Sequence, residues 1–217
     1  MSLLPIFLKL TGRRCLVVGA GEIALSKIES LLSTDADVHV VAIAALQEVQ
    51  ALAATRRIHL DLREFSVSDL EGVFLAIAAT DNLDANAAVF RAAEERGILC
   101  NAVDDPPNCD FYFGSVVRRG ELQVAISTAG ESPAAAQQLG REIDSQLPQD
   151  LGPWLQELGA LRREVLAAYP SGEARKHLLH ELAQREVCGS LECPSRKLAF
   201  PNINAPEEGY TKAPRAQ

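Results

Sequence analysis

The sequence predicts an α/β protein built around a parallel sheet. Residues 15–18 form a short apolar run, typical of a strand buried on both faces, and the run breaks into Gly19-Ala20-Gly21. Apolar residues then recur at helical spacing over residues 23–31. Further apolar runs alternate with helical patterns as far as residue 103, as expected of βαβ units and therefore of parallel strands.

The glycine turn has the composition of a phosphate-binding turn. Gly19 permits a tight bend, Gly21 lets the backbone approach a pyrophosphate, and Ala24 is the third small residue. The N–H groups and dipole at a helix start favour negative charge. With a strand before it and a helix after it, the turn predicts a dinucleotide-binding, Rossmann-type unit. The alternative is a tight βα turn that binds nothing.

The bulk composition argues against several classes of protein. The chain has 217 residues, 47% of them hydrophobic, and a formal net charge of -8. This acidic balance argues against nucleic acid or a membrane surface as the partner, and no apolar run approaches the ~20 residues of a membrane helix. Five irregularly spaced cysteines predict reduced thiols, and residues 1–10 do not resemble a signal peptide. We therefore expect a cytoplasmic protein.

The elements of the sheet follow one another along the first half of the chain. Residues 1–10, with Pro5 near their start, suit an edge strand or arm. The predicted strands are residues 15–18, 37–42, 58–62, 73–79 and 98–103. The first predicted helix follows the glycine turn, and two further helices are predicted over residues 45–55 and 84–96. Because 73–79 is the most apolar run, we expect it at the centre of the sheet.

The pattern changes after residue 110. Residues 111–117 and 121–127 predict two strands joined by a tight turn, and therefore a hairpin. The next helix is predicted over residues 133–147, with Ser132 as its N-cap and Pro133 at its first position.

The last third of the sequence predicts helices and then a tail. Pro148 and Pro153 bracket a break, and residues 154–185 have an amphipathic helical pattern. Residues 199–217 show no periodicity, and we expect them to be mobile.

Three stretches carry the most specific signal in combination. They are LPIFLKLTGRRCLVVGAGEIALSK, FLAIAATDNLDANAAV and LCNAVDDPPNCDFYFGSVVRRGELQVAISTAGESPAAAQQLGREID. Their motifs are an N-terminal P-I-F arm, ATD after the third core strand, N-x-V-D-x-P, and S-x-x-G-x-S-P before a helix. In this order they resemble the siroheme-synthase N-terminal family. The likeness runs from about residue 4 to 148 and continues more weakly to about residue 191.

The resemblance implies an activity. Members of the family are precorrin-2 dehydrogenases and often also sirohydrochlorin ferrochelatases. The implied reaction is NAD-dependent oxidation of precorrin-2 to sirohydrochlorin, with ferrous iron as a further substrate where siroheme is made. Since the sequence ends at Gln217, we expect a stand-alone form without a uroporphyrinogen methyltransferase domain.

The resemblance also implies an organisation. We expect a homodimer whose active site lies between domains and draws on both subunits. The implied parts are a Rossmann domain (1–112), a hairpin and helix dimerisation region (113–148), a small helical domain (149–192) and a flexible tail (193–217).

Asp104 is the residue to which the resemblance assigns catalysis. It follows a core strand, and a carboxylate there could act as a general base when the tetrapyrrole loses a proton. The alternative is a turn-capping aspartate before Pro106. We expect Asp105 to be structural.

The expected cofactor contacts lie on three loops. We expect the pyrophosphate and the adjoining ribose to contact Gly19, Gly21, Glu22 and Ile23. The adenosine should lie near Ile43 and Ala44, and the nicotinamide near Thr80. Asp81 could border the nicotinamide or cap the next helix. The second strand ends in neither an acid for the ribose nor an arginine for a 2′-phosphate, which leaves NAD against NADP open.

Four basic residues are candidates to neutralise the tetrapyrrole carboxylates. They are Lys27, Arg118, Arg119 and Arg141, and each taken alone is also an ordinary surface charge. Thr128 matches a serine position that can be phosphorylated in some relatives, so the resemblance makes Thr128 a candidate phosphosite. Its alternative role is hydrogen bonding within its loop.

The sequence predicts no stable metal site. His177 and His180 share a helix face, which an exposed surface explains as well as a metal does. Cys188 and Cys193 lack the two further ligands of a structural zinc, and Cys100 lies in a core strand. Two alternatives to the full reaction stay open: a dehydrogenase without chelatase activity, and a regulatory module that senses NAD.

Overall fold

A five-stranded sheet in which all strands are parallel forms the first part of the chain. The computed structural model describes residues 3–184 and 194–200. These residues divide into two compact units, of which the first holds residues up to 114 together with 127–133. The second unit holds 115–126 and the residues from 134 onward.

The first unit has a Rossmann-type topology. Its strands are β1 (Arg14–Val18), β2 (Asp37–Ala42), β3 (His59–Leu62), β4 (Leu75–Ala78) and β5 (Leu99–Ala102). They lie in the order β3-β2-β1-β4-β5. This is the 3-2-1-4-5 order of doubly wound dinucleotide-binding folds, so the predicted fold class is confirmed. The middle strand is β1, and the prediction that residues 73–79 occupy the centre was wrong by one strand.

Helices cover both faces of this sheet. They are α1 (Glu22–Leu32), α2 (Gln47–Ala54) and α3 (Leu83–Glu94). On one face, Ile28 of α1 and Val49 of α2 pack in a core with the strands, and on the other face Val89 of α3 packs in a second core. Short 3-10 turns span Val67–Leu70 and Pro106–Asn108.

The N-terminal arm is not a strand. Residues 3–10 have no regular secondary structure, and only Leu10 among them is buried. Ile6 and Phe7 are 59% and 71% exposed, so of the two alternatives predicted for this segment, edge strand or arm, the structure has the arm.

The second unit begins with the predicted hairpin. It pairs β6 (Ser115–Arg119) with β7 (Leu122–Ile126) in antiparallel register, and Gly120 at its turn has a φ of 58°. The predicted helix follows as α4 (Pro133–Gln146). Helix α4 packs closely on β6, since a Cβ on Gly140 would meet the Ser115 hydroxyl, which would have to rotate away.

Three further helices complete the second unit: α5 (Leu151–Ala168), α6 (Glu173–Ala183) and α7 (Pro194–Ala199). Helix α5 starts before Pro153, which is tolerated in a first turn because no N–H is needed there. Leu161, Val165 and Leu182 form the core with Ala199, and the Tyr169 hydroxyl donates to the Ala199 carbonyl at 2.7 Å.

The end of the chain differs in part from its prediction. Residues 194–200 were expected in a flexible tail, but they form α7 and its packed C-terminus. Residues 201–217 lie outside the described residues. Within residues 3–184 and 194–200, no helix combines the length and apolarity that crossing a bilayer requires.

Candidate cofactor site and catalytic residues

A cleft of about 850 Å³ opens at the carboxyl ends of β1, β2, β3 and β4. Parallel sheets of this topology bind ligands at this edge, and the volume is that of a small-molecule site. The cleft is lined by five of the seven predicted cofactor residues: Gly19, Gly21, Ile43, Ala44 and Thr80. The side chains of Glu22 and Ile23 are exposed and do not line it.

Gly19 follows β1 and lies against Ala79, which follows β4. Its φ is 111°, a conformation that other residues rarely adopt. Its N–H donates to the Val41 carbonyl at 2.9 Å, and a Cβ at this position would overlap the Ala79 carbonyl. The position therefore requires glycine for the fold itself.

Gly21 meets a different requirement. It is the N-cap of α1, its φ of -85° is ordinary, and a Cβ there would meet nothing within 4 Å. The first bond of the helix runs from the Leu25 N–H to the Gly21 carbonyl, which leaves the N–H groups of Glu22 and Ile23 at the positive end of the helix. A pyrophosphate fits this open, donor-rich turn, and Gly21 itself lines the cleft.

Thr80 is held in place by a buried amide that the sequence analysis missed. Asn86 of α3 is 1% exposed and accepts from both the N–H and the hydroxyl of Thr80, at 3.1 and 2.7 Å. Its own amide donates to the Thr80 carbonyl at 3.0 Å. Asn82 caps α3 by accepting from the Ala85 N–H, so the cap is Asn82 and not Asp81. Asp81 lines the cleft.

The loop after β3 adds three residues that sequence reasoning did not place at the site: Arg63, Glu64 and Phe65. They lie beside Ile43 and Ala44 because β3 pairs with β2, so the two strands end at the same edge. The sequence did contain a signal for these three residues, because the residues that directly follow a parallel strand lie at the ligand-binding edge of the sheet.

The Arg63 guanidinium is bound by two carboxylates. It donates to both oxygens of Asp69 at 2.7 and 2.8 Å and to Asp61 at 3.0 Å. The hydrogen bond from Arg63 lowers the pKa of Asp69, and burial of this carboxyl opposes that shift. The cluster has one positive and two negative charges, so a further anion gains little from Arg63 while the pairs persist.

Asp104 lies two residues beyond the end of β5 in a left-handed backbone conformation, with a φ of 59°. Its side chain is exposed, and no hydrogen bond from another described residue reaches its carboxylate. Asp105 accepts from the Asn108 amide at 2.6 Å and begins the 3-10 turn. The geometry fits a structural Asp105 and leaves the Asp104 carboxylate accessible to a substrate.

Lys27 is the basic candidate that lies near Asp104. Its ammonium group lies 4.1 Å from the centroid of the Phe113 ring. Burial lowers the pKa of Lys27, and the Asp104 carboxylate partly offsets this. Lys27 and Asp104 are therefore within electrostatic reach of each other on the first unit.

The three arginine candidates all belong to the second unit. Arg119 is 11% exposed and donates to the Asp144 carboxylate at 2.7 Å, so it joins β6 to α4. Arg141 donates to the Gln138 amide oxygen at 2.6 Å, whereas Arg118 is exposed. Thr128 accepts from the Ser132 N–H at 3.1 Å, the loop role that was its alternative.

The remaining candidates are placed as follows. His177 is 79% exposed and lies 4.0 Å from Glu181 of the same helix. Cys100 is buried in β5, and burial raises the pKa of its thiol to about 12, which makes it unreactive. Cys188 and Cys193 lie outside the described residues.

Comparison with known proteins gives the family. A model described as putative NAD(P)-binding matches residues 6–115, and one described as sirohaem biosynthesis protein central matches residues 119–146. Siroheme synthase 1 of Pectobacterium atrosepticum is 38% identical over 213 residues, which is 96% of this chain and 44% of that protein. The chain belongs to the siroheme synthase N-terminal family. The resemblance drawn from the motifs is thereby confirmed.

Two further proteins also match this chain over most of its length. The siroheme synthase of Methylococcus capsulatus is 40% identical over 200 residues, covering 92% of this chain and 40% of that protein. The chain spans less than half the length of these curated relatives. The solved structure of SirC, precorrin-2 dehydrogenase, matches with a TM-score of 0.71 over 92% of this chain and 94% of that one, at 24% identity. This likeness shows that the two chains share a fold.

Proposed function

We propose that this protein catalyses the NAD-dependent oxidation of precorrin-2 to sirohydrochlorin. The observation that carries the proposal is the exposed Asp104 carboxylate, which accepts no hydrogen bond from the described residues. Asp104 lies after β5, and β5 pairs with β4, whose carboxyl end lines the cleft. Family membership and the names of the relatives, siroheme synthase and precorrin-2 dehydrogenase, support the choice of substrate.

The roles of the residues follow from their positions. NAD bound in the cleft would accept a hydride from the tetrapyrrole. The Gly21 turn and the first N–H groups of α1 hold the pyrophosphate, while Thr80, fixed by Asn86, borders the nicotinamide. Loss of a hydride from carbon leaves a cation that must also lose a proton, and Asp104 accepts this proton and passes it to water. One hydride and one proton leave the substrate, so the charge balances.

Lys27 has a separate role in the proposal. Its partly buried ammonium group, stacked on Phe113, can bind a carboxylate of the tetrapyrrole and orient the ring against Asp104. The arginines engaged with Asp144 and Gln138 are less available for this task.

The experiment that tests the function is anaerobic incubation of the purified protein with precorrin-2 and NAD, followed by absorption spectroscopy. Appearance of sirohydrochlorin supports the proposal. Ferrous iron, a substrate and not a resident metal, is then added. Siroheme formation beyond a protein-free control would establish ferrochelatase activity, and its absence would restrict the enzyme to dehydrogenation.

A regulatory NAD sensor is the second candidate, because the cleft alone would serve it. The sensor predicts saturable NAD binding with no oxidation of precorrin-2 under any of these conditions. That pair of results would overturn the dehydrogenase proposal.

We also propose that the protein is a cytoplasmic homodimer that associates through the hairpin. Within the described residues, β6 and β7 form an isolated two-stranded sheet, an arrangement that is marginally stable alone and leaves its edges unpaired. Val116 and Leu139 on this region are 39% and 45% exposed. Sedimentation equilibrium checks the proposal, and a monomer at micromolar concentration would contradict it.

The Arg63 cluster gives a prediction about the cofactor. An arginine near the adenosine ribose favours the 2′-phosphate of NADP, but here Asp61 and Asp69 occupy it. Replacing both aspartates by asparagine should therefore raise the preference for NADP over NAD by about tenfold. A tenfold ratio corresponds to the binding free energy of roughly one charge-assisted hydrogen bond. The ratio of dissociation constants, from calorimetric titration, measures this. Adding Arg63→Gln should remove the gain, and a gain that persists would show that Arg63 is not involved.

A further inference from the structure

Three metal-ligating side chains lie together at the amino ends of β2 and β3, the sheet edge opposite the cleft. Asp37 and His39 belong to β2, and His59 is the first residue of β3. We propose that this cluster binds a divalent transition-metal ion. The inference is independent of the proposed oxidation of precorrin-2, because no residue of the cleft takes part.

Strand geometry places the three side chains on one face of the sheet. Residues two apart on a strand point to the same side, so Asp37 and His39 share a face while Val38 is buried on the other. His39 and His59 are register partners on adjacent parallel strands, whose backbones lie about 4.8 Å apart. The backbone therefore fixes how the ligands converge.

The donor atoms are close enough for a single ion. The Nε2 atoms of His39 and His59 lie 3.1 and 3.8 Å from the two carboxylate oxygens of Asp37. All three ligand atoms lie within 4.8 Å of one another. A tetrahedral ion with bonds of about 2.0–2.1 Å separates its ligand atoms by about 3.4 Å, so small side-chain rotations complete the site. The imidazole rings stack with centroids 4.4 Å apart and must tilt to share the ion.

The ligand types select the class of metal. Two imidazoles with one carboxylate suit zinc, cobalt, nickel or ferrous iron, whereas calcium and magnesium prefer oxygen ligands throughout. His59 is 72% exposed, so an ion can enter from solvent and keep a water ligand. Arg14 lies 3.9 Å from Asp37 but is 46% exposed, so this cation can move away.

The competing interpretation is a hydrogen-bonded pair that fastens the edge strand. It explains the 3.1 Å contact between His39 and Asp37 but predicts no affinity for metal. The convergence of His59 on the second oxygen of the same carboxylate is what favours the ion.

Titration of the chelator-treated, full-length protein with Co²⁺ or Zn²⁺ at pH 7.5 tests the proposal. We expect one equivalent to bind with micromolar affinity and the thermal unfolding midpoint to rise, since the ion binds only the folded site. His39→Gln and His59→Gln keep the size of the side chain, and each should weaken binding at least tenfold. The matched control, His177→Gln with His180→Gln on α6, should bind as the wild type does.

Three binding results would each overturn the inference. They are no binding by the wild type at millimolar Co²⁺, full binding by the His39→Gln/His59→Gln double variant, and an equal loss in the α6 control. A thiolate-to-cobalt charge-transfer band would also count against it, because it would assign the ion to cysteine. Circular dichroism establishes that each variant is folded.

Discussion

Replacing Asp104 by asparagine is expected to lower the rate of precorrin-2 oxidation by a factor of about 10² to 10⁴, the usual effect of removing a general base. Asparagine keeps the size of the side chain but does not take up a proton. NAD affinity should not change, because Asp104 does not line the cleft. Single-turnover oxidation and calorimetric NAD titration separate the two quantities.

The backbone at this position makes asparagine the appropriate replacement. Asp104 has a φ of 59°, and asparagine tolerates the left-handed region nearly as well as glycine does. Asp104→Ala would add backbone strain to the loss of the carboxylate, so a fall in its rate would have two causes. Asp104→Gly removes the carboxylate together with any strain, and it should be as inactive as Asp104→Asn while unfolding no more easily than the wild type.

The neighbouring aspartate supplies the matched control. Asp105 is half-buried and accepts a hydrogen bond from Asn108, so Asp105→Ala should cost about 1 kcal/mol of stability with little change in turnover. A variant at Asp104 that retains more than a tenth of wild-type turnover would exclude it as the base. A collapse of turnover in Asp105→Ala, with the protein folded, would transfer the role to that residue.

The parts of this fold that the sequence predicted are those set by local pattern. Residues 37–42 are both the predicted and the observed second strand, because Val38, Val40 and Val41 give the segment a β-branched, buried composition. The glycine turn was also predicted from the sequence. A positive φ at Gly19 and an open backbone at Gly21 both require a residue without a side chain, which is why glycine marks such turns.

The parts that the sequence did not predict depend on which strands become neighbours. Arg63 reaches the cleft only because β3 pairs with β2, and His39 meets His59 only through that same register. Asn86 lies six residues after Thr80, and the turn into α3 between them brings the two side chains into contact. Apolar composition could not decide between an edge strand and an arm at the N-terminus, because residues 3–10 have the pattern of a strand but no partner for one within the described chain.

Replacing Gly19 by alanine is expected to destabilise the protein by about 3 kcal/mol or more, whereas Gly21→Ala should leave stability unchanged and weaken NAD binding at least tenfold. At Gly19 the new methyl group would meet the Ala79 carbonyl in a backbone conformation with a φ of 111°. At Gly21 the φ is ordinary and the methyl group meets open space on the wall of the cleft, where a pyrophosphate would lie. Urea unfolding measures the first effect and calorimetry with NAD measures the second.

Gly12 separates the two contributions at Gly19. It has a φ of 67°, but a Cβ there would meet nothing within 4 Å, so Gly12→Ala carries the conformational cost of about 1 kcal/mol without the overlap. If Gly19→Ala costs no more than Gly12→Ala, the turn can move away from β4 and the close approach is not essential. If Gly21→Ala binds NAD as the wild type does, the phosphate lies elsewhere, and the dinucleotide assignment of the cleft fails even though the fold stands. Both glycines belong to one three-residue turn, yet one serves the contact between strands and the other serves the ligand, and only paired measurements of stability and affinity distinguish these two functions.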